Sequence, residues 1–192
     1  KLSEKYKFNF ELKEELFGGI AYEKKGSPAP QETLESCKSS DAVLLSCIGD
    51  NKYDSLSRDL RPETGLLKLR SELNLFANIR PVKIRKSLLN ASTLRQEIIE
   101  NVDLIVVREL TGGIYFGEPR GIVNISGEQK GFNTMTYSSN EIKRITEVAI
   151  KITKKRNNKI CSVDKANVLE VSQLWRDTVE EIMKNHAEIK FS

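Results

Sequence analysis

No stretch of this 192-residue chain approaches the ~20 consecutive apolar residues that cross a bilayer, and its start, KLSEKYKFNF, holds neither a hydrophobic signal core nor an initiating Met. The chain therefore reads as cytoplasmic, with no membrane partner, and as a stretch cut from something longer. Cysteine is scarce. Cys37, Cys47 and Cys161 are odd in number, widely spaced and without a CxxC, which argues against a disulfide framework or a zinc site. Histidine occurs once, at His186 in KNHAE, where a solvated helix end is a simpler reading than a catalyst. A strong excess of one charge is missing too. The net charge is +4 and the lysines are dispersed among acidic residues, so nucleic acid is not the expected partner, whereas an anionic small molecule stays open. With 39% hydrophobic and 30% charged residues, the composition is that of a folded globular chain and excludes disorder and coiled coil.

What is present alternates. Phe8, Phe10 and Leu12 interleave with polar residues and suggest a strand; PAPQETLESCKSSD predicts a proline-led helix, and AVLLSCIG a second, apolar strand. After the loop-like GDNKYDSLSRDLRPETG, the segment GLLKLRSEL predicts a helix, LFANIRPVKI an extended run, STLRQEIIENV a short helix and DLIVVREL a buried strand. This alternation predicts α/β architecture with at least partly parallel strands. Further on, RGIVNISGEQ and GFNTMTYSS have the polar alternation of hairpin or arm strands. Ser138 and Glu141 then open a long helix at capping-box spacing, with Ile142, Ile145, Ala149 and Ile152 on its apolar face. KICSVDKAN predicts strand and turn, and NVLEVSQLWRDTVEEIM a second long helix with Val168, Val171, Trp175 and Ile182 near one face. Two such helices near the end need a partner surface, which suggests a helix-packed homodimer.

The most informative run is RPETGLLKLRSELNLFANIRP. Glu63, Leu66, Leu67 and Arg70 sit at i, i+3, i+4 and i+7, which places a carboxylate, two branched hydrocarbons and a guanidinium on one helical face. That face suits a ligand with an alkyl group and a carboxylate, although an ordinary amphipathic helix has the same spacing. Arg80 follows LFANI and precedes Pro81, and Arg108 ends DLIVV, so both fall at strand ends, where loops build sites. Guanidinium groups clamp carboxylates in bidentate fashion. After Arg108, the stretch RELTGGIYFG turns on a glycine pair and presents Tyr115.

PETGLLKLR, LFANIRP, RELTGGIYFG and VDKANVLE, with FGGIA upstream and WR downstream, closely resemble the isopropylmalate/isocitrate dehydrogenase family of decarboxylating β-hydroxyacid dehydrogenases, on its isopropylmalate branch. The likeness runs in order across essentially the whole chain. It implies a two-lobe α/β fold with a mixed sheet, arm strands and long dimer-interface helices, distinct from a GxGxxG Rossmann fold. Residues 1–75 would be part of the cofactor-side lobe and 76–192 most of the second lobe. The implied reaction is NAD-dependent oxidation of 3-isopropylmalate followed by loss of carbon dioxide, in leucine biosynthesis, with Mg²⁺ or Mn²⁺ polarising the hydroxyl and keto oxygens.

Carried over by resemblance, Arg70, Arg80 and Arg108 would hold the malate carboxylates, and Leu66 and Leu67 would receive the isopropyl group. Glu63 would lie near that group and the nicotinamide. Tyr115 would protonate the enol after decarboxylation, and Lys165 would reach across a homodimer interface to help remove the hydroxyl proton. The loop with Gly49, Asp50, Asn51, Lys52, Tyr53, Asp54 and Pro62 would lie against the nicotinamide half of NAD. A lysine serves as a base where neighbouring cations make it release its proton more readily, and arginines provide such neighbours.

The chain departs from the family pattern in three places. The family opens with a strand and a GDGIGPE turn, which do not precede Lys1, and its metal-binding aspartates and adenine loop are expected beyond Ser192. Gly49-Asp50-Asn51 stands where Gly-Gly-Pro is common. These departures suggest the central part of a longer enzyme, inactive by itself, and no metal ligand is assigned, since Asp164 and Asp177 lie outside the aspartate motif. The rival readings are a sister enzyme acting on isocitrate, homoisocitrate or tartrate, and a non-catalytic dimerising remnant. Branched hydrocarbon at Leu66 and Leu67 is the feature that separates the first rival, because a third carboxylate needs cations or hydroxyl groups there.

Overall fold

A computed structural model describes residues 2–192; Lys1, the first residue of the expected cofactor-side lobe, lies outside them. The chain divides into two compact units, 1–74 and 75–192.

The first unit is helical: α1 (Leu2–Tyr6), α2 (Gly19–Lys25), α3 (Gln31–Lys38) and α4 (Pro62–Glu72). Pro30 precedes α3 and Pro62 occupies the first turn of α4, where a missing N–H removes no helical bond. Ala29, Leu34 and Leu69 form the core, with Phe17, Cys37 and Leu73 against it. Thr33 Oγ1 donates to the Leu16 carbonyl at 2.9 Å, and a 2.5 Å Lys38–Glu72 ion pair joins α3 to α4.

The strands expected at 8–12 and 42–49 do not form here. A strand exists only where a neighbour completes its ladder, and no described strand runs beside either segment, so Leu44 is 99% exposed. Alternation at 8–12 and the apolar run at 42–49 mark a capacity to pair without supplying the second strand.

The second unit contains β1 (Ala77–Lys83), α5 (Gln96–Ile99), β2 (Asp103–Glu109), β3 (Gly121–Ile125), β4 (Glu128–Phe132), α6 (Ser139–Thr153), β5 (Lys159–Ile160), α7 (Glu170–Met183) and β6 (Lys190–Phe191). β1 and β2 pair antiparallel from Ala77↔Glu109 to Lys83↔Asp103, and Pro81 is tolerated because β1 is paired on one side only. A hairpin forms, but not with the expected bounds: β3 and β4 lie mostly within RGIVNISGEQ, read as one strand, and GFNTMTYSS is strand only to Phe132. The chain turns at Ser126 and Gly127, both at positive φ as in a two-residue turn that follows strand twist. Parallel pairing is confined, among the described residues, to the short β5–β6 ladder.

α6 begins with the expected capping box: Glu141 N–H donates to Ser138 Oγ at 3.3 Å, and Ser138 N–H donates to Glu141 Oε2 at 2.7 Å. Its buried residues are Ile142, Ile145, Thr146, Ile150 and Thr153. Ile150 lies off the expected face because α6 packs against both β2 and α7, widening the covered arc. The core is Ile142, Ile150, Val179, Met183 and Ile189, with Trp175 and Ile182 packed against it. Val168 is a correction: α7 starts only at Glu170, and Val168 sits exposed in the preceding turn. Ile142 is 0% exposed. In the full-length protein, Ile142→Ala is expected to cost about 2–5 kcal/mol. The shift of the urea midpoint at constant slope checks this, and a loss below about 1 kcal/mol would contradict the core assignment.

Candidate active site

In the first unit, α4 turns Pro62, Gly65 and Leu69 inward, and a Cβ at Gly65 would meet the Pro28 carbonyl oxygen at 2.9 Å. The core-facing stripe is therefore not the one formed by Glu63, Leu66, Leu67 and Arg70. Glu63 is exposed, and the two leucines and Arg70 are half-buried. A helix whose core is already served by Leu69 leaves Leu66 and Leu67 as hydrocarbon on another face, which an ordinary amphipathic helix does not require.

The loop before α4 lies close to that face. A Cβ at Gly49 would come within 2.8 Å of Glu63 Oε1, the end of a flexible side chain, so the loop lies against Glu63 there. Asp50 accepts from Lys52 N–H at 3.0 Å and caps a short turn over Asn51–Tyr53, with Asp54 closing it. Lys52 pairs with Glu23 at 2.7 Å and lies 4.9 Å over the ring of Tyr53, whose hydroxyl donates to the same Glu23 oxygen at 2.9 Å. The carboxylate, then the phenol, hold the Lys52 ammonium in its charged form. Lys52 and Tyr53 thus fasten the loop to α2, while Gly49 and Glu63 form its open edge.

In the second unit the register sets the arginines, and Arg80 falls at the middle of β1, not at the expected strand end, because the ladder with β2 continues past Pro81 to Lys83. Asn78 faces Arg108 and Arg80 faces Val106, so all four share one face of the β1–β2 pair, with the two arginines diagonal to each other. Arg80 Nε donates to Asn78 Oδ1 at 2.6 Å. The Arg108 guanidinium lies 5.1 Å from the centre of the Tyr115 ring, which is 45% exposed. Strand end, arginine and tyrosine are therefore brought together, as a cation over an aromatic face.

The glycine pair between them is explained by Tyr137. A Cβ on Gly112 would lie 2.9 Å from that ring and one on Gly113 would strike its hydroxyl, and Gly113 also has φ +75°. Burial raises the Tyr137 phenol above its ordinary range, with the Glu109 charge acting the same way and Arg108 opposing. Its ring meets Trp175 edge-on at 5.3 Å, and Trp175 Nε1 donates to Ser162 Oγ at 3.2 Å. A cavity of about 280 Å³ opens here, lined by Arg108, Tyr137, Asp164, Ser172 and Trp175 among others.

Lys165 is exposed on the turn before α7. Its neighbour Asp164 keeps only 7% of its side chain accessible, accepts from Arg176 at 2.8 and 3.1 Å, and accepts from Ala166 N–H at 2.9 Å. Arg176 first, then that N–H, holds the carboxyl below the usual carboxylate range. The pair fixes the backbone that carries Lys165. The expected helix-end position of His186 is corrected: α7 stops at Met183 with Lys184 as its C-cap, and His186 lies beyond it, half-buried, with Nδ1 3.3 Å from Glu188 Oε1.

Sequence reasoning passed over Glu109, Tyr137, Arg144 and Arg176. Glu109 carried a usable signal, because it continues the period-2 series Ile105, Val107 and so falls on the covered face of β2. The Asp164–Arg176 pair spans twelve residues and has no local signature.

Among the described residues, no three His, Cys, Asp or Glu side chains gather into a group able to hold a metal ion, so this stretch is assigned no ligand and no chemical step is derived through a metal. No helix among them is long and apolar enough to cross a membrane.

In the second unit, Arg80 and Arg108 thus share one face of the β1–β2 pair with Tyr115 beside Arg108, which suits an anionic group, and in the first unit a face of α4 carries hydrocarbon beside a carboxylate. The sequence matches the isocitrate/isopropylmalate dehydrogenase family over residues 1–192, and the chain belongs to that family. It is 68% identical over its full length to a 3-isopropylmalate dehydrogenase of Prochlorococcus marinus subsp. pastoris, and 70% identical to one from a second Prochlorococcus marinus strain. In each case it covers 100% of this chain and 54% of the relative, so the chain spans about half the length of the curated relatives it matches. It superposes on the crystal structure of isocitrate dehydrogenase from Methylococcus capsulatus with a TM-score of 0.68 at 27% identity, over 91% of this chain and 48% of that one. The expected isopropylmalate/isocitrate dehydrogenase-like fold is thereby borne out.

Proposed function

We infer that the full-length protein containing this stretch oxidises 3-isopropylmalate with NAD and decarboxylates the product to 4-methyl-2-oxopentanoate, in leucine biosynthesis. The observation that carries the choice of substrate is the half-buried Leu66–Leu67 pair on a face of α4 that the core does not use. Hydrocarbon there receives an isopropyl group, whereas a third carboxylate would lose its hydration without gaining a partner. High identity to relatives named for this activity supports the same reading.

In this reading Arg70, Arg80 and Arg108 grip the malate carboxylates, and the Gly49–Asp54 loop with Pro62 and Glu63 lies against the nicotinamide half of NAD. Bound NAD supplies the acceptor for the hydride leaving the hydroxyl-bearing carbon. Lys165 of the partner subunit takes the hydroxyl proton as that carbon becomes a ketone, which fits a lysine exposed on a fixed turn. Loss of carbon dioxide from the β-keto acid leaves an enol, and the Tyr115 hydroxyl delivers a proton to its carbon. The protein works as a homodimer, with Mg²⁺ or Mn²⁺ required as in the family.

The test is to supply the full-length protein with 3-isopropylmalate, NAD and Mg²⁺. The expected result is NADH and 4-methyl-2-oxopentanoate in equal amounts; NADH formation without the branched keto acid would refute the reading.

A further inference from the structure

The turn that presents Tyr115 hangs on a carboxylate that the reaction itself does not use. Glu109 has a side chain 0% exposed at the end of β2, where Oε2 accepts from Gly112 N–H at 2.7 Å and Thr111 N–H at 3.0 Å, and Oε1 accepts from Thr111 Oγ1 at 3.0 Å. Arg144 of α6 closes the group. Its Nη2 donates to Glu109 Oε1 at 2.6 Å and to Thr111 Oγ1 at 2.5 Å. The guanidinium lies 4.6 Å over the Phe76 ring, and its Nε is buried without a hydrogen-bond partner. The Arg144 side chain is 30% exposed, so the fully buried Glu109 carboxylate depends on this cation for compensation more than the cation depends on the carboxylate.

We propose that Glu109, held by Arg144, is a positioning residue that fixes the turn carrying Tyr115, so that it governs proton delivery to the enol and not the grip on substrate. The proposal rests on the role given to Tyr115 above. The separation follows from the geometry. Arg108 is fixed by the β1–β2 ladder, in register with Asn78, and keeps its place without Glu109. Residues 111–115 have no ladder. They are tied by the Glu109 carboxylate at their start, by Gly113 N–H donating to the Thr136 carbonyl at 2.8 Å, and by Arg120 donating to the Tyr115 carbonyl at 2.6 Å. Removing the first tie frees the glycine pair, which offers little stiffness of its own.

The experiment is Glu109→Gln in the full-length protein, which keeps side-chain size while removing the charge. A misplacement of order 1 Å costs up to about a hundredfold, so kcat is expected to fall about tenfold to a hundredfold, with KM for 3-isopropylmalate within about threefold of wild type. The solvent deuterium isotope effect on kcat should rise above the wild-type value, since protonation becomes slower. Unchanged kinetics, a rise in KM alone, or a fall in activity without the larger isotope effect, as a purely structural role would give, each overturns the proposal. If E109Q does not accumulate folded, Thr111→Val removes the hydroxyl shared by both partners and is read by the same measurements, with a smaller expected loss. If wild type and Tyr115→Phe turn over 3-isopropylmalate equally fast, the role of Tyr115 has failed, independently of Glu109.

Discussion

Replacing Arg108 by alanine in the full-length protein is expected to lower kcat/KM for 3-isopropylmalate roughly 10³-fold, because truncating one partner of a hydrogen-bonded charge pair costs about 2–5 kcal/mol and each 1.4 kcal/mol is tenfold. Arg108 shares its face with Arg80 and stands over Tyr115, so a single substitution removes a carboxylate clamp and unseats the aromatic ring beside it. Both kcat and KM should therefore suffer, unlike the Glu109 variant. Lysine at this position restores the charge but not the planar two-pronged donor, and should recover only part of the loss. Steady-state kinetics decide the matter; a loss below tenfold for the alanine variant would remove Arg108 from the substrate site.

The second large effect concerns Lys165 and Tyr115 together. Removing a proton-transfer group costs about 10²–10⁴-fold, so Lys165→Met and Tyr115→Phe homodimers should each be nearly inactive. In a mixed dimer, the subunit retaining Tyr115 receives Lys165 from its neighbour, and one of the two sites is intact. With random pairing, about half the dimers are mixed, and co-expressed subunits should regain about one quarter of wild-type activity. The exposure of Lys165, on a turn fastened by Asp164 and Arg176, suits a residue that works outside its own subunit. Co-expression that yields no more than the two parents would assign Lys165 to its own subunit's site.

How much could be read from residues alone differed by element. The capping box at Ser138 and Glu141 and the proline start of α3 are local devices that local chemistry states completely. By contrast Pro62, read as loop, starts α4, and the hairpin turn falls at Ser126–Gly127 inside a run read as one strand. The strands expected at 8–12 and 42–49 do not form, because alternation in the first and an apolar run in the second mark faces that can be covered and leave the neighbouring strand unspecified. The face of α4 was legible as spacing. That Leu66 and Leu67 are spare hydrocarbon became clear only once Leu69 and Gly65 were seen to occupy the core side. At Gly112 and Gly113 the sequence indicates a turn, but the ring filling the space above it belongs to Tyr137, more than twenty residues along. Glu109 is legible from the strand period alone, since a carboxylate on the covered face of a strand needs a partner, which Arg144 of α6 supplies.

The most direct measurement is the ratio of kcat/KM for 3-isopropylmalate to that for isocitrate, determined with the full-length protein, NAD and Mg²⁺. On the proposed role of Leu66 and Leu67, the expected ratio favours 3-isopropylmalate by at least about a hundredfold, since the carboxylate of isocitrate would be unmatched. A ratio below one, with isocitrate preferred, would contradict the account.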